Sequence, residues 1–101
     1  MTLSEQDNGR TVEVNAGDVV TVRLKENPTT GFRWTVESAG GLVLAGDEYE
    51  GGGGGMGAAG VRVLQFRSPG AGAHELRLKN RREWEGDSSV TERFNLTITA
   101  K

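Results

Sequence analysis

Apolar residues alternate with polar residues at a period of two along four segments of this sequence. The alternating apolar residues are Val20, Val22 and Leu24, then Phe32, Trp34 and Val36, then Leu76 and Leu78, and finally Phe94, Leu96 and Ile98. Because successive side chains of a strand point to opposite faces, this pattern predicts half-buried strands with one face on a core and one in water. Three further segments have high β-propensity, namely Thr11–Val14, Leu42–Leu44 and Val61–Arg67.

Residues that favour turns separate these strand candidates. They lie at Asn15–Gly17, Asn27–Pro28, Gly40–Gly41, Ser68–Gly70 and Glu85–Asp87. About seven or eight short strands with frequent turns predict an all-β protein, an immunoglobulin-like antiparallel β-sandwich that forms one domain over residues 1–101. Trp34 and Phe94 are expected in its core. Residues 1–10 are polar and acidic, and we expect them to form a loosely ordered N-terminal segment.

The composition excludes several classes of protein. The chain contains no cysteine, so it has no disulfide, no thiolate metal site and no cysteine nucleophile. The formal net charge is −2 with both signs interspersed, which argues against a nucleic-acid partner or a membrane-surface helix. No apolar run approaches the ~20 residues of a membrane span. We expect a monomer without a cofactor, cytoplasmic if Met1 is the native start and periplasmic or secreted if a signal peptide was removed.

The segment Asn27–Gly31 joins two predicted strands and combines proline with glycine. Pro28 fixes its own φ and favours extended backbone at Asn27, and Gly31 permits a positive φ at the exit. One interpretation is an ordinary tight turn. The other is a stiff wedge that presents threonine hydroxyls and backbone to a partner, because a loop that is already ordered loses less entropy on binding.

A glycine-rich tract covers Gly51–Gly60, which apart from Met56 contains only glycine and alanine. Gly55–Gly60 matches the dinucleotide-binding pattern G-x-G-x-x-G, but that fingerprint must follow a buried strand and open a helix. Here the acidic segment Asp47–Glu50 precedes the tract and a β-patterned segment follows it. The tract is therefore interpreted either as a flexible connector or as a loop that lets backbone approach a partner closely.

The third unusual loop is Arg81–Gly86, which contains Trp84 among charged residues. Exposed tryptophan and arginine are enriched among the residues that dominate protein interfaces, so this loop is a candidate contact surface. The alternative is that Trp84 folds back over the edge of the sandwich. In a sandwich of this kind, loops that follow alternate strands lie at one end of the domain, and all three loops are expected there.

Catalytic and metal-binding interpretations are weak. His74 is the only histidine, and a structural role at the start of a strand is expected for it. Hydroxyl and carboxylate residues at 87–89 lie in a loop, where such residues are common, and do not define a triad. The acidic residues between 47 and 50 match no calcium-binding loop. We therefore expect no enzyme and no metal site.

The order of the three loops resembles the chagasin family of cysteine-protease inhibitors. Asn27–Trp34 matches the family motif N-P-T-T-G-F-x-W in full. Arg82–Trp84 corresponds to the motif R-P-W, with glutamate in place of the proline. Gly57–Gly60 stands opposite the motif G-x-G-G, with Ala59 in place of one glycine. The resemblance runs from Val12 to Thr99.

This resemblance implies a reversible, non-covalent inhibitor of papain-like cysteine proteases that blocks the active-site cleft with three loops. It implies that Thr29 lies nearest the catalytic cysteine of the protease. The implied protease-binding residues are Asn27, Pro28, Thr29, Thr30, Gly31, Phe32, Gly57, Ala58, Ala59, Gly60, Arg82 and Trp84. The alternative function is an immunoglobulin-like adhesion or interaction module whose target is not a protease.

Overall fold

The computed structural model describes residues 1–27, 31–51, 60–82, 90 and 92–101. Within these residues it contains eight strands and one turn of 3-10 helix at Glu5–Asp7. The strands are β1 Thr2–Leu3, β2 Thr11–Val14, β3 Val19–Glu26, β4 Phe32–Ser38, β5 Val43–Glu50, β6 Gly60–Arg67, β7 Gly72–Arg82 and β8 Glu92–Ala100. No helix in these ranges has the length and apolar character needed to cross a membrane.

The strands form two four-stranded sheets that make a β-sandwich. The strand order is β1-β3-β6-β5 in the first sheet and β2-β8-β7-β4 in the second. The pairs formed among β3 to β8 are antiparallel, as predicted, whereas β1 runs parallel to β3 and β2 runs parallel to β8. The predicted all-β sandwich is therefore confirmed, with sheets that are mixed instead of wholly antiparallel. Alternation shows which face of a strand is buried but not the direction in which the strand runs. The parallel pairing of the edge strands β1 and β2 could therefore not be predicted.

The inward faces of the two sheets share one hydrophobic core. Trp34 and Phe94 are 3% and 1% exposed, which confirms their predicted burial. The largest fully buried side chains are Phe66, Phe94, Leu24, Leu64, Leu76, Leu78, Leu96, Ile98, Val20 and Val22. Full burial of one such side chain contributes about 1.5–3 kcal/mol relative to exposure.

Residues 1–10, for which the sequence predicted loose order, contain β1 and the 3-10 turn. Leu3 pairs with Val22 and is buried in the core. The carboxylate of Asp7 accepts the backbone N–H of Ser4 (2.9 Å), which caps the turn. Leu3 thus attaches this segment to the core, and the pair Ser4 and Asp7 orders its turn, although the segment is polar on average.

β5 is longer than the sequence predicted, since it covers Val43–Glu50 instead of Leu42–Leu44. Leu42 itself is buried in the turn before the strand. β5 lies at the edge of the first sheet and most of its side chains are exposed, so it shows no apolar alternation. An irregularity in its pairing with β6 lies between Leu44 and Gly46.

Candidate functional site

Three chain connections leave the sandwich at one end, which we call the loop end. In the first sheet, Glu26 at the end of β3 pairs with Gly60 at the start of β6. In the second sheet, Phe32 at the start of β4 pairs with Arg82 at the end of β7. The first, second and third loops are the connections 27–31, 51–59 and 83–91. Strand register therefore brings the ends of the three connections to one end of the sandwich, as the sequence predicted.

The first loop differs from the other two because it crosses between the sheets. It joins β3 of the first sheet to β4 of the second, whereas the second and third loops connect paired neighbours, β5 with β6 and β7 with β8. β3 lies beside β6, and β4 lies beside β7. Each end of the first loop therefore has the base of one hairpin connection beside it, although β4 itself is the edge strand of the second sheet.

Five of the predicted protease-binding residues are described by the structure, namely Asn27, Gly31, Phe32, Gly60 and Arg82. Gly31 has a φ of +81°, which confirms the positive φ predicted at the exit of the loop. Phe32 is half-buried, and Cζ of Arg82 lies 4.8 Å from the centroid of its ring, a cation–π distance. The other predicted residues lie outside the described residues: Pro28, Thr29, Thr30, Gly57, Ala58, Ala59 and Trp84.

Two hydrogen bonds join the ends of the first loop. The backbone N–H of Trp34 donates to Oε1 of Glu26 (2.7 Å). The indole Nε1–H of Trp34 donates to the carbonyl oxygen of Lys25 (2.9 Å). β3 and β4 belong to different sheets, so no backbone ladder joins them as it would join the strands of a hairpin. The two bonds of Trp34 connect these strands instead. We call Lys25, Glu26, Trp34 and their bonds the clamp.

The carboxylate of Glu26 is held in turn by the guanidinium of Arg62 from β6. Nη2 and Nε of Arg62 lie 2.7 and 3.1 Å from Oε2 of Glu26, and Nη1 lies 2.9 Å from Oδ1 of Asp47 in β5. The side chain of Glu26 is 1% exposed and that of Arg62 is 11% exposed, so the ion pair is interior. Burial alone would lower the pKa of Arg62, but the hydrogen bonds and charges of Glu26 and Asp47 raise it above its ordinary value.

Gly60 is buried at the start of β6, beside Tyr49. A Cβ at this position would overlap with the hydroxyl of Tyr49 and with the carbonyl oxygen of Glu50. Only glycine fits here without a shift of the neighbouring strand. The structure thus gives Gly60 a packing role, and its contact with a protease stays a prediction.

Sequence reasoning missed Glu26 and Arg62, although the alternation contains the signal for both. In β3 the inward positions run to Leu24, and the next inward position is Glu26. In β6 the inward position of Leu64 implies that Arg62 also faces inward. Opposite charges at inward positions of two neighbouring strands indicate a buried ion pair, because an unpaired buried charge is strongly unfavourable.

Among the residues that the structure describes, no group of three or more His, Asp and Glu side chains is arranged to hold a metal ion. His74 lies near the start of β7, away from the loop end. Its Nδ1 is 2.9 Å from the carbonyl oxygen of Gly40, and its Nε2 is 3.4 Å from that of Gly70. These contacts give His74 a structural role between two turns.

Comparison with known proteins identifies relatives over nearly the whole chain. The model of the Chagasin family peptidase inhibitor I42 matches residues 13–98. Chagasin from Trypanosoma cruzi is 31% identical over 107 residues, covering 97% of this chain and 96% of that protein.

Solved structures share the fold. The cysteine protease inhibitor EhICP2 from Entamoeba histolytica superimposes with a TM-score of 0.89 at 22% identity, covering 99% of this chain and 94% of that chain. PbICP-C, solved in complex with falcipain-2, superimposes with a TM-score of 0.68 at 10% identity, covering 100% of this chain and 90% of that chain. At these identities the two structures establish a common architecture.

Proposed function

The chain belongs to the chagasin family of peptidase inhibitors, and we propose that it blocks the active-site cleft of papain-like cysteine proteases with its first loop. It is an inhibitor of cysteine proteases and not an enzyme. The second and third loops contact the protease on either side of the cleft, and binding is reversible and non-covalent. Membership of this family disfavours the alternative of an adhesion module with a target other than a protease.

The observation that supports this mode of binding is that each end of the first loop has one hairpin connection next to it. The end of β3 lies beside the start of β6, and the start of β4 lies beside the end of β7. The two hairpin connections belong to different sheets. A cleft is a groove with two walls, so we expect the first loop to enter it while the two hairpin connections contact the walls.

The assignment of individual residues follows the family resemblance. Residues 28–31 occupy the cleft, and Thr29 lies nearest the catalytic cysteine. Residues 57–60 contact one wall, and Arg82 and Trp84 contact the other. The glycines and alanines of the second loop allow close approach of backbone, and Trp84 supplies a large, rigid contact area.

The clamp explains why a loop in the cleft would resist cleavage. Attack requires a scissile carbonyl about 3 Å from the sulfur, aligned with the oxyanion donors. The first loop is tied across its base by the bonds of Trp34 to Glu26 and Lys25, and it leaves through Gly31 at positive φ. A loop held in this way fills the cleft without presenting a carbonyl in the reactive alignment.

Titration of papain tests the proposal. Papain of known active-site concentration, assayed with a fluorogenic peptide, should lose its activity at one equivalent of the chain and regain it on dilution. Mass spectrometry of the complex should show an uncleaved chain and no adduct on the protease cysteine. Papain whose cleft is filled by an irreversible peptidyl inhibitor serves as the control and should not bind.

Each part of the proposal has an outcome that contradicts it. Full papain activity in a large excess of the chain contradicts inhibition. A cut within the first loop, or a covalent adduct, contradicts the non-covalent mechanism. Equal binding to free and cleft-filled papain contradicts occupation of the cleft.

A further inference from the structure

The clamp contains an acidic residue that a protease cannot reach. The side chain of Glu26 is 1% exposed, and its carboxylate accepts N–H groups from Trp34 and Arg62. Glu26 is nevertheless the residue that precedes the first loop, and Trp34 lies three residues after the loop ends. The side chain of Glu26 therefore closes the base of the loop from inside the sandwich.

Arg62 extends this connection to the base of the second loop. Its guanidinium bridges Glu26 of β3 and Asp47 of β5, with closest distances of 2.7 and 2.9 Å. Asp47 is also 3.5 Å from Arg33 of β4, so charged contacts link strands of both sheets at the loop end. A buried ion pair often stabilises a protein no more than a hydrophobic pair of the same size does. A role for this pair is therefore sought in the groups that it holds in place.

We infer that Glu26, held by Arg62, is a positioning residue that keeps the first loop in its inhibitory conformation without touching the protease. This inference rests on the proposed function. A loop that samples several conformations binds in proportion to the fraction that is competent, so the apparent inhibition constant rises as that fraction falls. The critical contact is the hydrogen bond from the backbone N–H of Trp34 to Oε1 of Glu26, because it spans the loop.

Two double variants separate this contact from the charges of the ion pair. Glu26→Leu with Arg62→Met removes both charges and the acceptor for the N–H of Trp34. Glu26→Gln with Arg62→Met also removes both charges but leaves a carbonyl oxygen that can accept this N–H. If only about one molecule in 30 of the first variant keeps the competent loop, its inhibition constant against papain rises about 30-fold. The second variant should stay within a few-fold of the parent.

A surface ion pair provides a matched control. Arg23 of β3 and Glu50 of β5 form an ion pair in the same sheet, with Nη2 2.7 Å from Oε2, and their side chains are 39% and 52% exposed. Arg23→Gln with Glu50→Gln removes one charge of each sign, as the clamp variants do, but from the outer surface. Its inhibition constant should equal that of the parent.

Hydrogen exchange measures the loop independently of the protease. In the Leu/Met variant the backbone N–H and the indole N–H of Trp34 should exchange at least about tenfold faster, while amides in the middle of β8 keep the parent's protection. Should this variant not fold, Glu26→Val with Arg62→Leu removes the same acceptor with residues that are better suited to a strand. It should raise the inhibition constant several-fold while the protein keeps its cooperative unfolding transition.

The outcomes distinguish this inference from the proposed function. If the parent inhibits papain and the Leu/Met variant, or the Val/Leu variant in its place, inhibits equally well, the positioning role of Glu26 is wrong and the proposed function stands. Equal losses in the Leu/Met and Gln/Met variants also overturn it, because the charges would then matter and the Trp34 contact would not. If the parent does not inhibit papain, the proposed function fails, and unchanged exchange at Trp34 then overturns the positioning role separately.

Discussion

Gly31 joins the first loop to β4 with a backbone φ of +81°. An L-residue in the left-handed region is less stable by about 1–2 kcal/mol, and a β-branched side chain is strained further, so Gly31→Val should introduce about 2–3 kcal/mol of local strain. The strain is relieved if the loop changes conformation in the free protein. Binding must then restore the original conformation, and the inhibition constant against papain should rise about 30- to 150-fold.

The size of this effect depends on where the strain is borne. A domain with about 5–15 kcal/mol of stability remains almost fully folded after losing 2–3 kcal/mol. Global destabilisation alone therefore leaves the inhibition constant unchanged. A rise in the inhibition constant therefore reports on the first loop, through its conformation or its contacts in the cleft, and not on global stability.

Gly17 offers a matched control at the opposite end of the sandwich. Its φ is +91°, and a Cβ there would meet no atom within 4 Å. It precedes β3, whose eight residues separate it from the loop end by about 25 Å. Gly17→Val should lower the free energy of unfolding by an amount similar to that of Gly31→Val, with no change in inhibition. Gly31→Asn, which tolerates positive φ, should inhibit nearly as well as the parent.

The assay is steady-state inhibition of papain, accompanied by urea unfolding of each variant. The reasoning is refuted if Gly31→Val inhibits as strongly as the parent, since the first loop would then not need its native conformation at Gly31. It is also refuted if Gly17→Val loses inhibition to the same extent, because the effect would then follow from stability.

Three further predictions address other parts of the molecule. Trp84→Ala should weaken papain inhibition by about 2–4 kcal/mol, as loss of an interface aromatic does, with unchanged circular dichroism; an unchanged inhibition constant would remove the third loop from the interface. Gly60→Ala should lower the unfolding free energy by about 1–3 kcal/mol because its methyl group meets Tyr49. Adding Tyr49→Ala to Gly60→Ala should restore part of this loss, and additive losses from the two substitutions would contradict the contact. The hydrogen bond from the backbone N–H of Ser4 lowers the pKa of Asp7 below 3.8, so its stabilising contribution is present above that pH and is lost as pH falls through the lowered pKa. Asp7→Asn should therefore make unfolding less dependent on pH below about 4, measured by acid titration of the unfolding midpoint, and an unchanged dependence would exclude this contribution.

Much of the fold could be predicted because it depends on local pattern. The alternation in β3 and β8 identified which residues face the core, and Trp34 and Phe94 are buried as expected. In β4 the alternation was only partly right, because Phe32 is half-buried and Val36 is exposed. Turn residues placed the three loops between the correct strands. β5 was predicted too short, because an exposed edge strand has no buried face to produce alternation.

The candidate site was predictable only in part. The motif Asn27–Trp34 indicated the first loop and the positive φ of Gly31, both of which depend on neighbouring residues. The pairing of Glu26 with Arg62 joins residues 36 positions apart, and it was missed although each residue continues an inward-facing series. The packing of Gly60 against Tyr49 likewise requires the register of β5 on β6.

The class of fold, the buried faces of β3, β7 and β8 and the order of the three loops follow from the amino-acid pattern alone, because a period of two and the conformations of proline and glycine are local properties. The packing of the two sheets was needed to show that β1 and β2 run parallel to their neighbours and that the first loop crosses from one sheet to the other. The same packing was needed to show that Glu26, Trp34 and Arg62 meet beneath that loop. These features depend on strand direction and on register between distant segments, which are fixed when the two sheets pack around their shared core.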